Sequence, residues 1–529
     1  MSETAAEEAR GADPCPAEFN AAQFCLARAA AERPEAEALL VVDGDAPERL
    51  RARWTFAEID AAMRRAAGAM VAAGLSPGDR VLIRLGDGPE FPIAYFGALT
   101  AGAVAAPVSS QLSQGELEHI IRDAAPKLAL LDLEAPAGLD LGGAKRLDAA
   151  ALTAGPVAEI RPTRADDPAL LVYTSGSSGA PKGVLHAQRS FWARRMMRLG
   201  WHDMRPADRV MHAGAFNWTY TLGVGLSDPW SVGATSILNA GARRPEAWPA
   251  LAKAWAPTQF AAVPGVYRRI LKYGRDVGPA FASLRHALAA GEQLSPALRG
   301  AWEAETGAPL LEALGMSEVS TFISQSPSRQ ADPGWTGWPQ PGRVVAVLDH
   351  AEGRDAPQQG PATGVLAVRR DDPGLMLGYW GRPEDTAAAL RGDWFVTGDL
   401  VERRADGALR YLGRADDQMN AQGYRVAPLE VEAAFADHPG VAECAAAELP
   451  ISEGLSVIAL WITPAAADGG DDGRLDPAAL RAHAGARLAD YKTPRAFYLV
   501  DPLPRSANGK LLRRQLSAAV GQKLEETTD

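Results

Sequence analysis

Helical stretches alternate with short apolar runs along most of this chain of 529 residues. That rhythm restricts the fold more than any other feature. Strands alternating with helices build layers, with sheets inside and helices across their faces. Trp54–Ala73 carries apolar residues at helical spacing after the cap candidate Thr55 and stops near Gly74. Arg80–Leu85 then reads as a strand, Phe91–Leu99 as a helix and Lys127–Asp132 as another strand. Ala207–Ala213, Thr235–Leu238 and Gln259–Val263 are further strand candidates, and no solenoid period is visible. The run Phe91–Val108 is apolar enough to suggest a membrane span. Pro92, Pro107, Gly97 and Gly102 interrupt it and no basic cluster flanks it, so it reads as a buried helix and turn.

A domain boundary is expected at Gly413-Arg-Ala-Asp416-Asp417, after the short strand Ala408–Leu412. Beyond it a new series begins. Val426–Phe435 reads as a helix, Cys444–Glu448 and Val457–Ile462 as strands, the Gly/Asp-rich Ala465–Asp476 as a solvated loop, and Pro477–Ala489 as a helix. The expected fold class is therefore α/β. Residues 1–413 form a large domain of layered α/β sheets, and residues 414–529 a small α+β domain.

The chemistry starts at Tyr173-Thr-Ser-Gly-Ser-Ser-Gly-Ala-Pro-Lys182-Gly183, which follows the apolar run Pro168–Val172. Gly176, Gly179 and Gly183 let the backbone bend and approach a ligand closely. Thr174, Ser175, Ser177 and Ser178 add hydroxyls, and Lys182 adds a cation. Exposed N–H groups and one ammonium suit a nucleotide triphosphate. The common P-loop requires Ser or Thr after its lysine, and here that residue is Gly183. The alternative is a flexible Ser/Gly linker.

Five further segments join this loop: Glu312–Glu318, Trp394–Leu400 with Asp399, Gly413–Asp417 with Arg414, Ala421–Glu430 with Arg425, and Pro504–Leu511 with Lys510. Each alone reads as a turn or a solvated charge. Together and in order, from about Trp54 to about Arg513, they resemble the adenylate-forming superfamily of acyl-CoA synthetases, adenylation domains and luciferases. The resemblance is strongest to medium-chain acyl-CoA synthetases and benzoate-CoA ligases. It implies a β-barrel-like subdomain in the large domain and a mobile small domain hinged at Asp416.

The resemblance also implies roles for individual residues. Thr174 to Lys182 would hold the β- and γ-phosphates of ATP, and Glu318 with Thr174 would hold Mg²⁺. Ser317 stands at the α-phosphate. Glu312, Ala313, Leu314, Gly315 and Met316 form the adenine strand, with Gly291, Glu292 and Gln293 on the base's other side. Asp399 and Arg414 bind the ribose, and Lys510 is the lysine of the first half-reaction. Gln422, Gly423, Tyr424, Arg425 and Arg495 approach CoA. Phe216, Trp218, Thr219, Tyr220, Ala290, Gly315, Thr321 and Phe322 match the acyl pocket, although the aromatic ones read equally as core residues. Leu314 replaces the usual stacking tyrosine, Thr321 a histidine of benzoate ligases and Asn420 a frequent lysine. Gly315 stands where acetyl-specific relatives place tryptophan, so the expected acid is larger than acetate: short-to-medium aliphatic, or aromatic.

The physics agrees with such roles. A carboxylate attacking the α-phosphate brings two anions together, so Lys510, Lys182 and a cation on Glu318 are needed. No protein nucleophile is required. The expected activity is an AMP-forming acid–CoA ligase using ATP, Mg²⁺ and CoA. The alternatives are loading of an acyl carrier protein, a luciferase-like oxygenase and a non-catalytic nucleotide sensor. The net charge of −11 disfavours a nucleic-acid surface. The acidic N-terminus lacks a signal core. Cys15, Cys25 and Cys444 are too scattered for a disulfide framework or a zinc site. A cytoplasmic monomer or homodimer is expected.

Overall fold

The computed structural model describes all residues except 1–12, 133–134, 137, 175–180, 217, 350–356, 416–418, 422–423, 453–454, 466–474, 489, 506–510 and 525–529. The chain forms two compact units. One comprises Met1–Ala346, Val368–Phe395 and Ala405–Leu409; the other comprises Val347–Ala367, Val396–Arg404 and Arg410–Asp529.

Two large sheets organise the first unit. The nine-stranded sheet has the order Trp338–Pro339, Ser320–Ser324, Leu310–Met316, His286–Ala290, Gln259–Ala262, Arg209–His212, Thr235–Asn239, Glu37–Val42 and Leu50–Thr55. Its central six strands, Leu310–Met316 through Glu37–Val42, are parallel. The seven-stranded sheet has the order Gly378–Tyr379, Lys182–Ala187, Pro168–Thr174, Val104–Pro107, Arg80–Arg84, Leu128–Leu131 and Lys145–Leu147. Parallel strands are covered on both faces, which is why their sequences are runs such as Leu128-Ala-Leu-Leu131 rather than alternating patterns.

The first long helix is Phe56–Ala72. Thr55 and Glu58 close it with a reciprocal capping box, while Trp54 belongs to the preceding strand. The helix Glu90–Thr100 buries every residue after Glu90. At Gly97 a side-chain carbon would lie 2.8 Å from the Ala66 Cβ, so the missing side chain lets the two helices touch. This buried pair accounts for the apolar run near residue 100. Among the described residues no helix is long and apolar enough to cross a membrane.

A separate five-stranded sheet has the order Val345–Leu348, Ala362–Arg369, Trp394–Arg403 and Leu390–Arg391, with Leu409–Arg414 also paired to Trp394–Arg403. In the second unit, the hairpin Val441–Ser452 and Leu455–Pro464 continues into Ala496–Leu499 and Gln522–Lys523. These strands run well past the expected Cys444–Glu448 and Val457–Ile462. The helix anticipated over Val426–Phe435 is only Pro428–Ala433, because Val426 pairs with Met419 in a small ribbon. Val431, Phe435, Ile458, Leu460, Leu480 and Phe497 form the core between helices and sheet.

Candidate active site

The strand Pro168–Thr174 turns back as Lys182–Ala187, and Thr174 lies directly opposite Lys182. The expected phosphate loop is thus the tip of a hairpin. Its residues Ser175–Gly179 lie outside the described residues, but its base presents a hydroxyl and an ammonium side by side. Lys182 Nζ is 2.8 Å from Asp385 Oδ2 and 5.6 Å from the centre of the Tyr379 ring.

The strand Leu310–Met316 runs through Ser317 and Glu318 into Ser320–Ser324, with Ser320 at φ 72° in the turn. Three contacts hold the turn. His186 Nε2 meets the Ser317 carbonyl at 2.7 Å, Met376 N–H donates to the Glu318 carbonyl at 2.8 Å, and Tyr379 Oη donates to Glu318 Oε1 at 2.8 Å. Gly378–Tyr379 also pairs with Val184 and Leu185 of that hairpin. Arg189 pins the preceding segment through the Pro373 and Leu375 carbonyls at 2.6 and 3.0 Å. One tyrosine therefore joins the hairpin of one sheet to the acidic turn of the other.

The sequence reading missed Tyr379 and Asp385. The available signal was the glycine-flanked Gly378-Tyr-Trp-Gly381 ahead of Pro383, which marks a backbone held close to something. Among the described residues no three His, Cys, Asp or Glu side chains gather to hold a metal ion. Glu318 and Thr174, expected to hold magnesium, offer one carboxylate and one hydroxyl, so such an ion would take its remaining ligands from water and substrate phosphates.

On the expected adenine side, Gly291 (φ 91°) follows the strand His286–Ala290. Glu292 Oε2 accepts the Gly265 N–H at 3.0 Å, and Leu294 N–H donates to Glu312 Oε1 at 3.2 Å. Glu312 is buried, and burial pushes its carboxyl up to about 7 against the lowering effects of the Leu294 N–H and Arg299. Leu314 to Glu318 are partly exposed along the strand end.

The expected acyl-pocket helix begins at Thr219 and continues through a wide π-type turn, Gly223–Ser227, into Asp228–Val232. A side-chain carbon on Gly223 would lie 1.7 Å from Arg194 Nη2. Arg194 occupies that space, gripping Asp228 with two bonds of 2.6 Å and donating to Ser320 Oγ at 2.7 Å. Tyr220 Oη donates to the Leu288 carbonyl at 2.9 Å, and Thr321 Oγ1 donates to Met197 Sδ at 3.2 Å. Phe216 stacks on Phe91 within the main core, and Phe322 and Ala290 are buried. Trp218 and Thr219 remain partly exposed.

Gly315 has a reason beyond pocket volume. A side-chain carbon there would lie 2.7 Å from both the Ser320 carbonyl oxygen and the Thr321 Cα, at a register shift between the two strands.

In the second unit, Arg414 Nη1 donates to the Thr397 carbonyl at 2.8 Å and to Asp399 Oδ1 at 3.1 Å. Gly398 (φ 74°) makes room for that guanidinium. Asp416, Gln422, Gly423 and Lys510 lie outside the described residues. Tyr424 and Arg425 sit on a strand opposite Ala421 and Asn420. Arg495 is exposed, with Asp490 Oδ2 at 2.8 Å. Arg505 and Leu511 form a bridge that closes the base of the segment carrying Lys510. Just beyond it, Arg513 makes two bonds of 2.7 Å to the partly buried Glu432.

Comparison with known proteins agrees with this geometry. Residues 26–380 match the family model "AMP-binding enzyme", and residues 430–510 match "AMP-binding enzyme C-terminal domain". A 3-hydroxybenzoate–CoA ligase of Aromatoleum sp. (strain CIB) is 31% identical over 488 residues, covering 87% of this chain and 91% of that protein. A benzoate–CoA ligase of Thauera aromatica is 32% identical over 490 residues, covering 88% and 91%. The crystal structure of an anthranilate CoA ligase in complex with anthranoyl-AMP superposes with a TM-score of 0.83 at 27% identity, covering 94% of this chain and 96% of that one. With well over half of its length matched by the first model, this chain belongs to the AMP-binding enzymes, the adenylate-forming superfamily that its motif order resembles.

Proposed function

We propose that this enzyme is an AMP-forming acid–CoA ligase for a carboxylic acid larger than acetate, aromatic or of short-to-medium chain length. One observation carries the reading. Tyr379 contacts both the ammonium of Lys182, 5.6 Å from its ring centre, and the carboxylate of Glu318, 2.8 Å from its hydroxyl. One side chain thus ties the cation suited to polyphosphate charge to the carboxylate that would hold a metal ion.

In the first half-reaction an oxygen of the acid forms a bond to the α-phosphorus, the bond from that phosphorus to the bridging oxygen breaks, and pyrophosphate leaves with the electron pair. Lys182 and the loop N–H groups take up pyrophosphate charge, and Lys510 neutralises the approaching anions. Asp399 and Arg414 hold the ribose, and Glu312–Leu314 face the adenine. Glu318 and Thr174 would hold a magnesium ion, which would supply further positive charge to the phosphates. In the second half-reaction the CoA sulfur attacks the acyl carbon, AMP leaves, and the thiol proton passes to solvent.

Lys510 and the Gly423 loop serve different steps, so in this reading the small domain expected over residues 414–529 turns about Asp416 between them. The free thiols of Cys15, Cys25 and Cys444 fit a reducing cytoplasm.

The test is acid-dependent exchange of labelled pyrophosphate into ATP across acetate, hexanoate, octanoate and benzoate, followed by thioester formation with CoA or a carrier protein. Lys510→Ala is expected to abolish exchange and to spare thioester formation from supplied acyl-adenylate. Equal loss of both half-reactions would refute the assignment, and acetate turning over best would refute the acid class.

A further inference from the structure

The segment Asp372–Trp380 lies along both halves of the site. Met376 N–H donates to the Glu318 carbonyl at 2.8 Å, Leu377 N–H to the Leu185 carbonyl at 2.7 Å, and Trp380 N–H to the Gly183 carbonyl at 2.8 Å. Tyr379 Oη reaches the Glu318 carboxylate from the same segment. Glu318 and the strand that begins at Lys182 are thus strapped together by one stretch of backbone. Where that strap sits decides where the carboxylate points.

Asp372 opens the strap and is buried against Arg343, with side-chain exposures of 1% and 0%. Arg343 Nη1 donates to Asp372 Oδ1, and the same oxygen accepts the Gly374 N–H at 2.7 Å. Gly374 is wedged between this pair and the acidic turn. A side-chain carbon there would lie 2.6 Å from Arg343 Nη1 and 3.1 Å from the carbonyl oxygen of Val319, the residue after Glu318. Arg189 holds the strap through the Pro373 and Leu375 carbonyls. The buried pair is a poor source of stability. Desolvation of two charges offsets most of their attraction, and apolar residues of similar volume often serve a fold as well or better. Here Arg343 Nε and Asp372 Oδ2 also stay buried without partners. What a guanidinium and a carboxylate supply is direction, because their bonds form in one geometry.

We propose that Arg343 and Asp372 are positioning residues for adenylate formation: their buried ion pair fixes the strap against Val319, and the strap aims the Glu318 carboxylate at the metal ion it would hold. Both act through other groups, the Met376 N–H and the Tyr379 hydroxyl. Arg189 supports the same strap from a partly exposed position. This inference rests on the ligase reading and on the assignment of magnesium to Glu318.

The test removes the charges and keeps the burial. Arg343→Met combined with Asp372→Asn leaves a neutral pair of similar volume, in which the asparagine oxygen can still accept the Gly374 N–H. The thermal midpoint reports folding, calorimetric titration of ATP with and without Mg²⁺ reports the ion's share of binding, and pyrophosphate exchange over a Mg²⁺ series reports its use. The double variant is expected to fold, to bind ATP alone as the wild type does, and to need about tenfold more Mg²⁺ for half-maximal exchange, the scale on which groups that orient a metal-holding side chain act. Its rate at saturating Mg²⁺ should change much less. Arg189→Gln is expected to raise the Mg²⁺ requirement about threefold, and Arg189→Lys, which still donates to a carbonyl, to raise it less. Should the double variant fold poorly, the two Arg189 variants decide the matter. A folded double variant with the wild-type Mg²⁺ requirement overturns this inference, as does a fall in rate at saturating Mg²⁺ with that requirement unchanged, which is what a merely structural pair would give. A Mg²⁺ requirement that Glu318→Gln leaves unchanged overturns the assignment of the ion to Glu318 and this inference with it. Absence of exchange with every acid overturns the ligase reading.

Discussion

Replacing Glu312 by Gln is expected to stabilise the enzyme at neutral and alkaline pH and to do nothing in acid. Glu312 is 7% exposed, and its carboxyl is raised from an ordinary 4.5 to about 7, first by burial. The Leu294 N–H bond at 3.2 Å favours the charged form but is outweighed. Below pH 4.5 the group is protonated in the folded and the unfolded chain alike, and the raised value has no effect on the balance between glutamate and glutamine. Between 4.5 and 7 the unfolded carboxyl ionises while the folded one keeps its proton, so stability falls as pH rises. Above 7 the full cost is present, about 3 kcal/mol for a rise of that size. Glutamine keeps an oxygen for the Leu294 N–H and carries no charge. Urea unfolding followed by tryptophan fluorescence from pH 5 to 8 measures the gap between the two proteins. The gap should widen with pH through this window and level off above it. A gap that is constant, or that narrows as pH rises, would refute the reasoning.

Tyr379→Phe removes the hydroxyl that donates to Glu318 Oε1 and keeps the ring beside Lys182. Discounted for partial exposure, about 1 kcal/mol is lost, so pyrophosphate exchange at limiting Mg²⁺ should drop about fivefold; an unchanged rate would exclude Tyr379 from the site. Gly315→Ala forces a carbon against the backbone of Ser320 and Thr321 and should lower stability by about 1–3 kcal/mol, read as a thermal midpoint. An undisturbed midpoint would return that glycine to the pocket-volume explanation. Glu432→Gln weakens the two-bond hold on Arg513, beside the segment carrying Lys510, at a cost of about 3 kcal/mol. Proteolytic cleavage near residues 506–510 should accelerate and exchange should slow; if neither changes, the pair does not position that segment.

Much of the molecule is legible in the order of its amino acids. The Thr55 cap and its helix, the buried helix at Glu90–Thr100 and the strand Pro168–Thr174 each follow from a local period or a single capping residue. The expected elements err where the signal is not local. The alanine-rich Ala445-Ala-Ala447 hides the length of the strand Val441–Ser452, which the paired strand Leu455–Pro464 supplies. Val426 joins a strand because Met419 sits opposite it.

The order of the motifs established the reaction class, because each motif is a short stretch whose residue types and spacing carry their own chemistry. Its partners came from the folded chain alone. Tyr379 reaches Glu318 across 61 residues of sequence and Arg194 reaches Ser320 across 126. Helical and strand periods extend over a few residues and describe which face is buried. Which faces then meet depends on the order of strands in two crossover-connected sheets, and that order is decided only when the sheets pack.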